Sequence, residues 1–105
     1  MDESCSRLGL GQVVQHLRFG YRGVVADVDP CFEGTPEWYE QVAQSRPPKD
    51  RPWYHVLVDG SDHMTYVAER HLEIDSSGAP VRHPLLNEFF DGFRDGAYTP
   101  RQSTH

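Results

Sequence analysis

Short apolar runs separated by glycine, proline and polar residues follow one another along the chain, a pattern typical of small all-β domains. The first two runs occupy residues 13–17 and 21–29 and are separated by a Phe19-Gly20 break. Two strands joined by a short glycine-containing link predict a hairpin, since glycine tolerates the positive φ that a tight turn needs. Gly23 inside the second run predicts a bulge or a close backbone approach, as at the corner of a small barrel.

A long excursion follows the hairpin. Thr35 is suited to cap a helix, and Pro36 suits the first helical position. Trp38 and Val42 are four residues apart and would share one face of that helix. We therefore predict a short inserted helix over residues 36–44, followed by a proline-rich extended loop.

Three further apolar runs predict three more strands. The stretch WYHVLVDG forms the third and closes on an Asp-Gly turn. A fourth strand passes through Met64, Tyr66 and Val67, and the stretch RHLEI turns into a fifth.

The third strand places Trp53 and His55 on one face and Tyr54 with valines on the other, because successive side chains alternate. The valine face predicts the core, with Tyr54 at its rim. Trp53 then has two interpretations: it packs beneath the long segment before it, or it belongs to an exposed recognition surface. The same two interpretations apply to Tyr21 and Arg22 at the hairpin corner.

The C-terminal part of the chain holds one more apolar segment. Helical spacing relates its large apolar residues, which are Leu85, Leu86, Phe89, Phe90 and Phe93. Pro84 suits a first turn, so a short amphipathic helix is predicted over residues 84–93, weakened by Gly92. This helix either closes one end of a barrel or docks against a partner or a second copy. The final AYTPRQSTH is predicted to be a polar tail.

Together these elements predict a mainly β fold: a small SH3-like antiparallel barrel with a short inserted helix and a short C-terminal helix. The length of 105 residues is enough for a single domain, residues 1–105. Its core is expected over residues 8–74, with the C-terminal helix and tail at 81–105.

The charge balance argues against a strong, general affinity for DNA. The chain has 16 acidic and 10 basic residues, for a net charge of -6. Affinity for duplex DNA comes mainly from basic groups that neutralise phosphates. A small arginine patch is still compatible with this composition, and its candidate members are Arg18, Arg22, Arg46 and Arg51.

The chain carries no recognisable motif for catalysis or metal binding. His55, His63 and His71 are evenly spaced, but no Cys-x-x-Cys or His-Glu-x-x-His accompanies them, so neither a metal nor a cofactor is predicted. Nucleophile motifs are likewise missing, and we predict no enzymatic activity. Cys5 and Cys31 are expected to be free thiols in a reducing compartment. No secretory signal or membrane span is recognised, which predicts a cytoplasmic protein.

Three motifs occur in order: GQVVQHLRFGYRGVVADVDPCF, PWYHVLVDG and TYVAERHL. They resemble the YccV-like family, which includes the heat shock protein HspQ and hemimethylated-DNA-binding domains. The resemblance covers residues 8–74 and implies a small β-barrel without catalytic residues. It implies two functions: promoting the degradation of damaged proteins by an ATP-dependent protease during heat shock, or binding hemimethylated DNA. Related domains also occur beside proteolytic machinery, as protease adaptors or in ubiquitin-ligase subunits.

An acidic domain with clustered aromatics suits a protein partner better than DNA. We therefore expect an adaptor or specificity factor for an ATP-dependent protease and its substrates, with hemimethylated DNA as the alternative partner. The residues expected to form or support the recognition face are Tyr21, Arg22, Trp53, Tyr54, His55 and Tyr66. A homo-oligomer is compatible with the sequence, and no membrane partner is expected.

Overall fold

The computed structural model describes residues 7–101, and its fold is mainly β. Five strands form one antiparallel sheet: β1 (Val13–His16), β2 (Arg22–Asp29), β3 (Trp53–Val58), β4 (Met64–Ala68) and β5 (Leu72–Ile74). Their order across the sheet is β4-β3-β2-β1-β5, so β4 and β5 are its edges. The prediction of a small, partly open antiparallel β fold is confirmed.

Short helical segments and a second hairpin complete the described chain. They are α1 (Pro36–Val42), a 3-10 turn (Glu69–His71), α2 (Leu86–Phe89), β6 (Phe90–Arg94) and β7 (Ala97–Pro100). Strands β6 and β7 pair with each other in a separate two-stranded sheet. Within residues 7–101, no helix has the length and apolar character needed to cross a membrane.

The hairpin of β1 and β2 forms as predicted. Gly20 has a φ of 81°, and its N–H donates to the carbonyl four residues earlier at 2.8 Å. At Gly23 the neighbouring strand comes so close that an added Cβ would lie 2.5 Å from Val56 Cγ1, which explains the glycine there. The bulge in this strand lies further on, between Val25 and Asp27.

The central strands β2 and β3 are apolar on both faces, and a different cluster covers each face. The interior cluster consists of Leu8, Val14, Val25, Tyr54, Val56, Val67 and Leu72. The outer cluster consists of Val13, Val24, Ala26, Leu57, Val81 and Phe90. Neighbours such as Val24 and Val25 are therefore both buried, because their side chains point to opposite faces of the sheet.

The C-terminal segment differs from the prediction. The helix expected over residues 84–93 is a single turn, and the expected polar tail contains a strand. Asp95 and Gly96 have φ values of 55° and 81°, the combination that a tight hairpin turn requires. Because this turn and the poor helix former Gly92 both oppose a longer helix, the chain reverses, and Phe90 enters the outer cluster from a strand.

Arg22 fastens the linker that leads to this second hairpin. Its guanidinium pairs with Asp59 at 3.1 Å and with Asp75 at 3.2 Å. It also donates to the carbonyls of Ala79 and Pro80. Such charge-assisted, forked hydrogen bonds fix geometry well, so Arg22 aligns the segment that covers the outer face. In this structure the Arg22 guanidinium makes these internal bonds, and its place at a recognition face stays a prediction.

We expect the substitution Phe90→Ala to lower the free energy of unfolding by roughly 3–5 kcal/mol, because it empties a site in a packed cluster. Phe90 is 3% exposed, whereas Phe93 is 38% exposed. Phe93→Ala is the matched control and should cost about 1 kcal/mol or less. Urea denaturation followed by circular dichroism measures both. Equal losses would show that the second hairpin does not cover the sheet.

Candidate functional site

The inserted segment packs a set of aromatic rings against the start of β3. Thr35 caps α1 as predicted, with its Oγ1 accepting a hydrogen bond from the Trp38 N–H at 3.1 Å. Trp53 is 2% exposed, and its indole N–H donates to the Pro48 carbonyl at 3.1 Å. What we call the aromatic cluster comprises Phe32, Trp38, Tyr39, Ala43, Trp53, Tyr66 and Ala68. Of the two interpretations of Trp53, packing beneath the inserted segment is confirmed.

Two of the residues expected to form or support the recognition face are buried, and their contacts lie in two different clusters. Trp53 is covered by the aromatic cluster, and Tyr54 is 0% exposed within the interior cluster. The Tyr54 hydroxyl donates to the Glu69 carboxylate and accepts the Leu8 N–H at 3.3 Å. The expectation that Tyr54 lies at the rim of the core was therefore wrong.

His55 and Tyr66 lie side by side and are joined through Asp29. The Tyr66 hydroxyl donates to Asp29 Oδ2 at 2.7 Å, and the same oxygen lies 3.2 Å from His55 Nε2. The Glu33 N–H donates to the Tyr66 oxygen at 2.9 Å. Burial, reinforced by Asp29, raises the pKa of Tyr66 well above its usual value, so the phenol stays protonated and keeps its ring in place.

One group of potential metal ligands converges in the described part of the chain. Ligand atoms of Asp27, Asp29 and His55 all lie within 4.8 Å of one another. Asp29 Oδ2 already accepts a tyrosine hydroxyl, and Asp27 is exposed. Hydrogen bonding thus accounts for the closeness of Asp29 and His55, and this group carries no argument for a cation. His63 and His71, which share the even spacing of His55, do not join the group.

Of the two cysteines singled out in the sequence, the structure describes Cys31. Cys31 has an exposed, free thiol. Cys5 lies outside the described residues, so the expectation for it remains a prediction.

A groove of about 640 Å³ lies beside β4, at an edge of the sheet. Three parts of the fold line it: the tip of the β1–β2 hairpin, α1 with the loop after it, and all five β4 residues. We call it the β4 groove. Phe19, Val42 and Met64 give it large apolar surfaces that are 72%, 54% and 44% exposed. The groove residues outside β4 are His16, Arg18, Phe19, Tyr21, Trp38, Val42, Ala43, Gln44, Ser45, Pro47, Trp53 and His71.

His16 shapes the hairpin wall of the β4 groove. Its Nδ1 accepts the N–H groups of Arg18 and Phe19 at 3.1 and 3.0 Å. The ring of Phe19 stacks on the imidazole with centroids 4.7 Å apart. The ring of Tyr21 also contacts the imidazole, with centroids 5.0 Å apart. The histidine thus acts as a local cap that holds an exposed phenylalanine at the mouth of the groove.

The described lining of the β4 groove carries no acidic side chain although the chain as a whole is acidic. Among residues 7–101, no aspartate or glutamate lines it, and Arg18 is its one permanently charged residue. The imidazoles of His16 and His71 stack with centroids 5.6 Å apart. Burial lowers the pKa of both histidines; His71 and Arg18 add to this at His16, and Arg70 and Arg18 at His71. The two rings are therefore neutral at physiological pH, and the groove is mainly apolar.

Of the six residues expected at a recognition face, Tyr21, Trp53 and Tyr66 line the β4 groove. His55 lies next to it, packed on the Tyr66 ring with centroids 4.7 Å apart. Arg22 does not line it, nor does the buried Tyr54. The most exposed apolar groove residues were not assigned to a site from the sequence, since no spacing or motif relates positions so far apart.

The four arginines named as a possible patch for the alternative DNA function have separate surroundings in the structure. Arg22 is held by two aspartates, and Arg46 pairs with Glu40 at 2.9 Å. Arg18 lies at the β4 groove instead, and Arg51 lies in a different depression.

That second depression has a volume of about 340 Å³ and holds three arginines, Arg7, Arg51 and Arg70. We call it the arginine cleft. Arg7 contacts Glu69 at 3.6 Å, and Arg70 donates to the Ser45 carbonyl. Arg51 makes no hydrogen bond or ion pair within residues 7–101, so one cation of the cleft is available.

The fold and the groove define a small antiparallel β domain that presents an apolar binding surface. A family model described as hemimethylated DNA-binding protein YccV like matches residues 6–97. The match spans nearly the whole chain and includes most of the second hairpin, beyond the stretch recognised from the sequence. This chain belongs to the YccV-like family.

The lowered pKa values of His16 and His71 predict a loss of stability in mild acid. Between the lowered pKa values and the ordinary value of 6.5, the unfolded chain binds more protons than the folded chain. The folded state therefore keeps this stabilisation in full above pH 6.5, and its free energy of unfolding decreases as the pH falls below 6.5. We expect the melting temperature to fall between about pH 7.5 and about pH 5.5, and to fall less in His71→Gln.

Thermal denaturation across this pH range measures the effect. His63→Gln is the matched control, because the His63 side chain is 76% exposed. A pH dependence that His71→Gln and His63→Gln change equally would contradict the assignment to the groove histidines.

Proposed function

We propose that this chain is a non-enzymatic adaptor of protein quality control. It binds apolar segments exposed by damaged proteins in the β4 groove and promotes their degradation by a cytoplasmic ATP-dependent protease. The observation that carries this proposal is an aromatic groove with no acidic residue in its described lining, on a domain whose net charge is -6. An apolar surface of this kind favours a protein partner over a polyanion.

The size and composition of the β4 groove support this proposal. Its volume of about 640 Å³ lies within the range of sites that bind ligands or short segments. Exposed aromatic side chains beside an arginine are the residue types that contribute most to protein interfaces. The exposed Phe19 and the half-buried Trp38 both line the groove, with Arg18 next to Phe19, and so provide such anchors.

The protease step rests on the resemblance to heat-shock members of the family, since recognition of apolar segments is itself common to many binding proteins. An adaptor needs a site for cargo and a separate surface for the protease. The β4 groove is assigned here to the cargo, because damaged proteins share exposed apolar stretches rather than one sequence.

A degradation assay with purified components tests the proposal. The rate at which an ATP-dependent protease degrades a heat-damaged reporter should rise when this protein is added. The double substitution of Phe19→Ala and Val42→Ala should reduce the affinity for the reporter about tenfold, because truncating two anchors costs more than about 1 kcal/mol. Ile74→Ala is the matched control, since Ile74 has the same 54% exposure as Val42 but lies on the other edge strand.

Unchanged reporter turnover on addition of the wild-type protein would exclude the adaptor function. An equal effect of the double variant and of Ile74→Ala would exclude the β4 groove as the cargo site.

The arginine cleft favours a second candidate function, binding to hemimethylated DNA, which is the activity in the family's description. Three arginines around one depression can contact neighbouring phosphates of a backbone. The cleft also contains Glu69, and the chain is acidic overall, so this candidate ranks second.

If DNA is the partner, Arg51→Ala should weaken binding to a hemimethylated duplex and reduce the slope of log affinity against log salt by about 1. Arg94→Ala removes the same charge from the second hairpin and should leave both quantities unchanged. Fluorescence anisotropy over a series of salt concentrations measures them. Equal effects of the two substitutions would contradict a site in the arginine cleft.

A further inference from the structure

Strand β4 is an edge whose outward backbone groups are open. Hydrogen bonds to the β3 segment lie just beyond both ends of β4. The Val58 N–H donates to the His63 carbonyl and the Glu69 N–H to the Pro52 carbonyl, each at 3.1 Å. In an antiparallel pair, residues whose backbone groups bond to the neighbouring strand alternate with residues whose backbone N–H and carbonyl groups point away from it. Those turned toward the β4 groove are therefore Met64, Tyr66 and Ala68.

Within residues 7–101, no partner meets the backbone N–H or carbonyl groups of these three residues. At the opposite edge, one outward backbone group has a partner. The outward carbonyl of Leu72 in β5 accepts a hydrogen bond from the Arg7 guanidinium at 3.0 Å. The second hairpin is also tied down, since the Tyr98 N–H of β7 donates to the Gly11 carbonyl at 2.7 Å.

The composition of β4 gives it no protection against pairing with another chain. Proteins usually blunt an open edge with a lysine, a proline, a bulge or an inward-pointing charge. The sequence MTYVA of β4 contains no charge and no proline, and its pairing with β3 is regular along its length. An open, uncharged edge at the floor of a groove is a template for an added strand.

The two sides of the β4 groove suit the alternating side chains of such a strand. Trp38 and Val42 lie on the side of the aromatic cluster, and Phe19 and Tyr21 on the side of the hairpin tip. Residues of an extended peptide point alternately to opposite sides, so both sides would receive side chains. In the part of the chain that the structure describes, Arg18 is the only permanently charged residue at the groove, and it favours an acidic residue at one end of the peptide.

We propose that the β4 groove binds its partner by strand addition: an extended apolar segment with an acidic end pairs with the outward backbone groups of β4. This deepens the proposed function, on which the identification of the segment as part of a damaged protein rests. Recognition through the backbone makes the site tolerant of sequence, while the groove walls select apolar side chains.

Backbone methylation of a peptide tests the proposal directly. The probe is a labelled peptide of about seven residues, in which valine and threonine alternate after an amino-terminal glutamate. In a paired strand only every second residue directs its N–H toward the neighbour. N-methylation of one alternate set should weaken binding at least about tenfold, and methylation of the other set less than about twofold. Equal effects of the two sets would overturn the proposal.

A substitution in the protein provides the complementary test. Met64→Pro removes an outward N–H that β3 does not use, and an edge strand tolerates proline at such a position. Met64→Ala is the matched control, because it removes the side chain but retains the N–H. The proline variant should bind the unmethylated peptide at least about fivefold more weakly than the alanine variant. Equal binding by two folded variants would overturn strand addition, and the methylated peptides decide the matter if the proline variant does not fold.

A second copy of this chain is the competing occupant of the edge. Sedimentation equilibrium with and without the peptide separates the two cases: a monomer that binds the peptide supports the proposal, and a β4-paired dimer that excludes it overturns it. The adaptor function fails separately from this inference. Methylation-sensitive binding without stimulated degradation would exclude the adaptor function but support strand addition. Stimulated degradation with equal effects of the two methylated sets would support the adaptor function but exclude strand addition.

Discussion

The burial of apolar residues on both faces of β2 and β3 is the constraint on which the rest of the fold depends. Val24 and Leu57 point to one face and Val25 and Val56 to the other, so neither face can be left to water. Curling of the sheet covers one face, and the second hairpin covers the other. The Arg22 ion pairs serve this requirement, because they fix the linker that positions the second hairpin over the sheet.

The inserted segment buries a large side chain at the end of the sheet and also forms part of the candidate site. It covers Trp53 at the start of β3, where the indole would otherwise be exposed, and packs further aromatic rings around it. Because α1 stands beside β4 without pairing to it, the space between them is left as a groove. A cover needed for stability therefore also forms one wall of the binding surface.

How far the sequence predicts this molecule depends on how local each feature is. Turn residues such as Gly20 and the Thr35 cap act over a few positions, and the strands and helix they delimit were predicted correctly. The apolar spacing around Phe90 fits both a helix and a hairpin, and only the Asp-Gly turn after it separates them. The β4 groove could not be predicted, since Phe19 and Met64 meet only through the tertiary fold.

The two tryptophans of the chain both belong to the aromatic cluster, and their ring centroids lie 6.0 Å apart. Tryptophan emission from this protein consequently originates at a single location, the inserted segment and the groove wall. The second hairpin is invisible to that signal. Heating curves recorded by tryptophan emission and by far-ultraviolet dichroism thus report on different parts of the molecule. Any separation between them would measure how independently the inserted segment loosens from the sheet.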